Sequence, residues 1–392
     1  MVIGPDPADG VRRRNLARVL DLVHHGEART RSDLTASTGL NRSTVGALVA
    51  ELSALGLLVE TQGESSNRVG RPSPGVRVAK DPVVIAVNPE IDAITAAVVG
   101  LAGRVELRIR RPLAERPSPA EATRVIADLV GELREQALGQ RRFVGIGLAI
   151  PGLVRSSDGV VRLAPHLEWR EEPFTDAVSE ATGLPAAARN DAGLGALAEH
   201  LFGVGRGVDE LVYLNGGASG IGGGVVVRGH LLTGAHGYAG EFGHNRPGVA
   251  SLDDRATEHG ELEDEVSRAR LLNVAGLTGA DEPELRAALL GSTDPAVRGE
   301  LARQQRLLAV ALSNAINVFN PELVVLGGFL STLLAWDGAA LESAVRASTL
   351  PAAWEGVRIS AAGLAEDRLL IGAAELAFDR ILRDPSQFES VR

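Results

Sequence analysis

Hydrophobic positions along the chain follow two different periods, and the change between them falls near residue 80. In Arg12–His24, Leu16, Val19, Leu20 and Val23 recur at helical spacing. Thr30-Arg31-Ser32-Asp33 has the form of a capping box, with Thr30 as N-cap and Asp33 three residues on. The helix it starts ends at Gly39, a residue suited to a left-handed C-terminal cap. Asn41 caps a third helix, Arg42–Leu55, with an apolar stripe of Val45, Leu48, Val49 and Leu52 and a stop at Gly56. Leu57–Glu60 and Val76–Val78 read as two short strands around a polar tip. Beyond residue 80 the pattern becomes continuous apolar runs separated by helices. Val83–Val87, Ala93–Val99 and Arg104–Arg110 read as strands, Pro119–Ala137 as a helix, and Phe143–Ile150 as a further strand. A similar order returns later: strands near Leu211 and Val225, a helix from Gln304 to Val318, and a buried strand Leu323–Leu326. Alternating strands and helices imply α/β layers, and two similar halves imply two lobes with a cleft between them.

The first 80 residues therefore read as a winged helix-turn-helix, and residues 81–392 as a separate α/β body. The exposed start of the third helix, Asn41, Arg42, Ser43 and Thr44, offers short polar groups and one guanidinium to base edges and phosphates. Arg71, between Gly70 and Pro72, is held extended and suits a narrow minor groove; a plain linker turn is the alternative.

Charge sharpens this division. The formal net charge is −10, which excludes a chain that coats nucleic acid along its whole length. Residues 1–80 nevertheless carry about +3 and the remainder about −13, as expected for a DNA-binding head on an acidic body. There is no cysteine, so no disulfide framework and no thiolate metal site. No apolar run is long enough to cross a membrane, and the N-terminus lacks a signal core, so the expected location is the cytoplasm.

Candidate chemistry concentrates between Tyr213 and Glu263. Asn215–Gly224 reads as a glycine-rich turn between two strands, and Glu241 and His244 follow three residues apart. A carboxylate and an imidazole at that spacing suit polyol hydroxyls or a metal; a tight hairpin with a solvated Glu and His is the alternative.

Taken together, the head with its GRPS, then PGLV (Pro151–Val154), RNDAGLGALAE (Arg189–Glu199), GIGGG (Gly220–Gly224), GYAGEFGH (Gly237–His244) and NPELVVLGG (Asn320–Gly328) resemble the ROK family of sugar-responsive repressors and sugar kinases, from about residue 11 to about 380. The resemblance implies a two-lobed actin-like, hexokinase-like (ribonuclease H-like) ATPase fold. Lobe one would span about 81–188 plus the C-terminal helix, and lobe two about 189–365. It also implies homodimers or homotetramers that place two heads on a palindromic double-stranded operator, and a small carbohydrate ligand in the cleft. By the same resemblance Asn190, Asp191, Glu241, His244 and Glu263 contact sugar. Asp191 stands at the kinase members' general base, here vestigial. His166 stands where the family usually has a sugar-contacting Asn.

Two further departures set expectations. The family's phosphate loop after the first strand is replaced by Asn88-Pro89-Glu90, so no catalytic residue is expected. The family's zinc loop has lost its cysteines, with Asp254, Ala256 and Glu261 in their places. His244, Asp254, His259 and Glu261 are the only set there that resembles a ligand group, and thiolate-poor structural zinc sites are unusual. The expected metal and cofactor content is none. A DNA-binding regulator of carbohydrate genes, most simply a repressor, is the leading reading; a sugar kinase with an appended head and a ligand-independent regulator with a scaffold body are the alternatives.

Overall fold

The computed structural model describes residues 7–61, 74–137, 141–248 and 256–388. The head consists of α1 (Pro7–His24), α2 (Arg31–Thr38), α3 (Arg42–Ala54) and a two-stranded wing, β1 (Leu58–Thr61) and β2 (Gly75–Val78). The capping box at Thr30 and Asp33 forms, Gly39 takes the left-handed conformation at φ 71°, and Asn41 caps α3 by accepting the Thr44 N–H. Leu16, Val19 and Leu20 of α1 and Val45, Val49 and Leu52 of α3 make the head's core. The wing strands pair antiparallel with Leu58 opposite Val78. Arg71 and the wing tip lie outside the described residues.

The body begins with β3 (Pro82–Pro89), β4 (Ala93–Gly100) and β5 (Arg104–Pro112), followed by α4 (Pro119–Gln136) and β6 (Arg142–Ile150). A small three-stranded sheet, β7 (Leu153–Val154), β8 (Val161–Ala164) and β9 (Trp169–Glu172), leads through α5 (Phe174–Thr182) to β10 (Ala186–Asn190). The first large sheet has the order β10-β6-β3-β4-β5, with β6 parallel to β3 and β10 and the β3-β4-β5 meander antiparallel. β3 is buried on both faces: Val83, Ile85 and Val87 meet the cluster of α4 and α5, and Val84 and Ala86 point the other way. That continuous burial is why it reads as an unbroken apolar run.

Helix α6 (Asp191–Leu201) then carries the chain to β11 (Leu211–Gly217), β12 (Gly220–Val227) and β13 (His230–Leu231). Four helices follow: α7 (Leu262–Glu265), α8 (Arg268–Val274), α9 (Glu282–Gly291) and α10 (Pro295–Phe319). β14 (Leu323–Gly328), α11 (Leu330–Trp336), α12 (Gly338–Ser348), α13 (Pro351–Trp354) and β15 (Arg358–Ala361) complete the second lobe, and α14 (Arg368–Arg383) returns to the first. The second sheet, β13-β12-β11-β14-β15, repeats the first: an antiparallel meander on one side of the central strand and parallel strands on the other. This doubled topology is the actin-like, hexokinase-like fold.

Two details differ from the sequence reading. The glycines at 216, 217, 220 and 222–224 are not a turn but lie within paired strands, leaving a hairpin tip of only Ala218 and Ser219. Close packing requires several of them: a Cβ on Gly222 or Gly224 would stand 2.5 Å from the methyl of Ala192 or Ala196 in α6, and one on Gly216 or Gly223 would meet the ring of Phe329 or Phe242. The long helix starts at Pro295, nine residues before Gln304, because Asp294 caps it and Val297 and Leu301 extend its buried stripe. The N-cap of α6 is Asn190, whose side chain accepts the Gly193 N–H.

The head is not a bead on a flexible tether. A continuous apolar cluster runs from Leu16 and Val23 of α1 to Phe378 and Ile381 of α14 and on to Val84 and Val99 of the first sheet.

Candidate functional site

The cleft between the lobes holds a cavity of about 190 Å³, and Asn190, Asp191, Glu241, His244, Glu263 and His166 all line it. They come from four places in the chain. Asn190 ends β10 and Asp191 opens α6, so a strand-to-helix junction aims both at the cleft. Asn190 is held from two sides: its amide donates to the Gly152 carbonyl at 3.1 Å and its oxygen accepts from Gly193 at 2.9 Å. Asp191 accepts the Ala192 N–H at 2.7 Å. Glu241 precedes a single 3-10 turn, Phe242–His244, which turns His244 toward the same space. Glu263 lies in α7, and its carboxylate accepts the Ile221 N–H of β12 at 3.2 Å. His166 is exposed at the rim, in the short turn Pro165–Leu167.

The electrostatics are those of crowded carboxylates. Burial, reinforced by Glu90 and Glu241, pushes the Asp191 carboxyl up to about 7. Burial, reinforced by Glu263, also raises Glu241 above the usual carboxylate range, against the opposing pull of His244. His244 is raised in turn: burial opposes this, but Glu261, at 3.1 Å from Nδ1, and the nearby Glu263 outweigh it. Desolvated carboxylates of this kind are strong acceptors for ligand hydroxyls, and they disfavour an added anion.

Sequence reasoning missed Arg368. It opens α14 and is almost fully buried, with Nε 3.1 Å from Asn215 Oδ1 and a terminal nitrogen 3.2 Å from Glu282. It therefore ties lobe one to β11 and α9 of lobe two. No local signal marks it, since its partners lie 153 and 86 residues away.

Where the family's zinc loop would be, the described residues offer no thiolate. His244, Glu261 and Glu263 cluster within 4.8 Å as one nitrogen and two oxygens, and His259 is not among them. Asp254 lies outside the described residues. Instead the buried Glu265 collects the returning loop: it accepts the Ala256 N–H at 2.8 Å, and the N–H and hydroxyl of Thr257 at 2.8 Å each, and pairs with Arg303 at 2.9 Å.

In the head, Asn41, Arg42 and Ser43 are exposed at the start of α3 and Thr44 is partly so. The Asn41 oxygen is engaged by the Ser43 hydroxyl and the Thr44 N–H, which leaves its amide NH₂ to face outward. No described helix is long and apolar enough to cross a membrane.

A DNA-reading head built onto a cleft of this kind defines the class of sugar-responsive transcriptional repressors. The ROK family model matches residues 84–380, and the chain belongs to that family. It is 28% identical over 336 residues to a xylose repressor of Caldicellulosiruptor bescii, covering 81% of this chain and 83% of that protein. A crystal structure of a ROK family transcriptional regulator, a homologue of the E. coli MLC protein, superposes with a TM-score of 0.75 at 25% identity, covering 95% and 97% of the two chains. A Streptomyces griseus ROK family glucokinase in complex with glucose and AMPPNP superposes with a TM-score of 0.60 at 26% identity, over 76% of this chain and 99% of its own. Similarity that includes the head is thus to a regulator, whereas the family also contains kinases.

Proposed function

We propose that this repressor binds a small, neutral, unphosphorylated sugar in the cleft and does not phosphorylate it. The observation that carries this reading is the convergence of Asn190 and Asp191 with Glu241, His244 and Glu263 on one cavity. Five hydrogen-bonding side chains, three of them carboxylates, match a ring of hydroxyls, and a missing hydroxyl would leave a desolvated acceptor unpaired. The same carboxylates repel a phosphosugar. An aldopentose such as xylose is the first candidate, since xylose repressors are among the relatives.

Three features speak against phosphoryl transfer. Pro89 removes a backbone donor from the end of β3, where kinase members cradle phosphate. Glu90 adds negative charge close to Asp191. Arg368 is already committed to Asn215 and Glu282 beside the glycine hairpin. Ala256 and Thr257, which lead into α7, are held by Glu265 and its partner Arg303. Two copies of the chain present two heads to a palindromic operator, with half-sites about one helical turn or a multiple of it apart.

The test is a thermal-shift and calorimetric screen of xylose, glucose, N-acetylglucosamine and glucose 6-phosphate, followed by DNA mobility shift with each hit. A neutral sugar should raise the melting temperature and change operator affinity, and the phosphosugar should do neither. Sugar-dependent release of ADP from ATP and Mg²⁺ would overturn the non-kinase reading. A chain that ignores every sugar would overturn the ligand-responsive one.

A further inference from the structure

One short path from the cavity to the head runs along helix α6 and the turn that follows it. Helix α6 is 11 residues long, about 16 Å at 1.5 Å per residue. Its first turn carries Asn190 and Asp191 into the cavity. Just past its last turn, Phe202 lies against His24, the last residue of α1, and His25, which follows it. Its ring centroid is 5.6 Å from that of His24, nearly perpendicular to it, and 5.4 Å from that of His25. Four residues further on, the Arg206 guanidinium donates to the His25 carbonyl at 2.8 Å.

The helix has little room to flex between those ends. On one side it rests on β12, where Gly222 and Gly224 leave space only for the methyls of Ala192 and Ala196. On another it crosses α14 at Gly372, where any side chain would collide with the Leu194 carbonyl. Close-packed contacts of this kind transmit displacement rather than absorb it.

We propose that α6 is the coupling rod of this repressor, with its N-terminus reading the sugar and its C-terminal shoulder, Phe202 and Arg206, setting the position of the head through His24 and His25. The proposal rests on the sugar-responsive reading given above. A sugar that binds one lobe arrangement better than the other moves the Asn190–Asp191 end, and the far end moves α1 with it. The ligand can shift the head only by its differential affinity for the two arrangements. By linkage, operator DNA must change sugar affinity by the same factor.

A competing reading of the same joint fails on its chemistry. His24, His25 and Glu375 come within 4.8 Å of one another and could be taken for a metal site. His24 Nδ1, however, accepts the Ala102 N–H at 3.0 Å, so it carries no proton, and Nε2 holds the hydrogen that faces Glu375. A metal on Nε2 would need that proton moved to Nδ1, against a backbone donor. The cluster is a joint between head and body.

The experiment uses the full-length protein, an operator duplex and the sugar that gives the strongest effect in the screen. Operator dissociation constants are measured with and without sugar, and sugar dissociation constants with and without operator, for the wild type, Arg206→Ala, Phe202→Ala and Phe202→Leu. Arg206 is exposed and bonds a backbone carbonyl, so its removal is the variant least able to disturb folding. The expected wild-type effect is about 5- to 150-fold, equal in both directions. In Arg206→Ala and Phe202→Ala the factor should fall to below about twofold, with sugar affinity and sugar-free operator affinity each kept within about threefold. Phe202→Leu should recover part of it. Unchanged coupling in both alanine variants overturns the rod while leaving the sugar-responsive reading intact. Loss of sugar-free operator binding in Arg206→Ala would make the contact merely structural and also overturn it. A wild type that no sugar affects removes the functional reading and the rod together.

Discussion

His25 Nε2 lies 3.0 Å from Glu375 Oε1, tying the end of the head's first helix to the last helix of the body. The other carboxylate oxygen meets His24 Nε2 at 2.8 Å, and His25 Nδ1 faces Asp21 at 3.1 Å. Both nitrogens of His25 thus face carboxylates, which defines a buried imidazolium. Burial alone would lower its pKa, but Asp21 and Glu375 outweigh it and hold it at about 10. Burial alone would raise Glu375, but His24 and His25 hold it down at about 2.

The pH dependence follows from those two shifts. The His25 contribution is fully present below its unfolded pKa near 6.5 and fades as pH rises toward 10. The Glu375 contribution is present above its unfolded pKa near 4.5 and is lost as pH falls toward 2. The joint should therefore be tightest at about pH 4.5–6.5. His25→Ala should cost about 3 kcal/mol near pH 6, because it strands a buried carboxylate. The difference in melting temperature between wild type and variant should narrow as pH approaches 10. A pH-independent difference would refute the charged-pair account.

Asp191 behaves in the opposite sense. Its folded pKa of about 7 is above the unfolded value near 3.8, so the protein loses stability as pH rises through that interval. Asp191→Asn should raise the melting temperature at pH 8, by about 1 °C for each kcal/mol recovered in a chain of this length. The same variant should lose sugar-induced stabilisation. Differential scanning calorimetry at pH 5 and pH 8 separates the two effects.

Metal removal provides a third measurement. Since Glu265 and Arg303 anchor the loop that leads to α7, dialysis against EDTA should leave the melting temperature and the sugar response unchanged. Glu265→Ala should lower stability by about 3 kcal/mol, because Arg303 and the Ala256 and Thr257 donors lose their shared acceptor. A chelator that reproduces the effect of Glu265→Ala would show that a metal holds the loop.

Arg42 is the exposed guanidinium at the start of α3. Arg42→Ala should weaken operator binding by about 1–3 kcal/mol if it reads a base and reduce the salt slope by about 1 if it contacts phosphate. Mobility shifts across a salt series on operator and scrambled duplexes tell the two apart. Unchanged affinity for both duplexes would remove Arg42 from the interface.

Much of this molecule was legible in the sequence because the signals are local. The Thr30–Asp33 capping box, the Gly39 cap and the stripe from Val45 to Leu52 concern neighbours within four residues, and all formed as read. β3 and β6 were readable because a strand buried on both faces must be apolar throughout. The glycine-rich segment was misread for the converse reason. A glycine that makes a turn and a glycine that admits a close neighbour look alike in sequence, and only the placement of α6 on Gly222 and Gly224, and of Phe329 and Phe242 on Gly216 and Gly223, distinguishes them.

The sequence by itself determined the head, the central strands and the longest helices of both lobes, and the residue types able to hold a sugar. Those depend on spacing along the chain and on side-chain chemistry. Only the tertiary structure decided what those parts do to one another: that Arg368 bridges the lobes, that Glu265 gathers a loop whose cysteines are absent, and that α6 reaches from Asp191 to His25. Each joins residues far apart in sequence, and packing in three dimensions sets such contacts, with no local period to announce them.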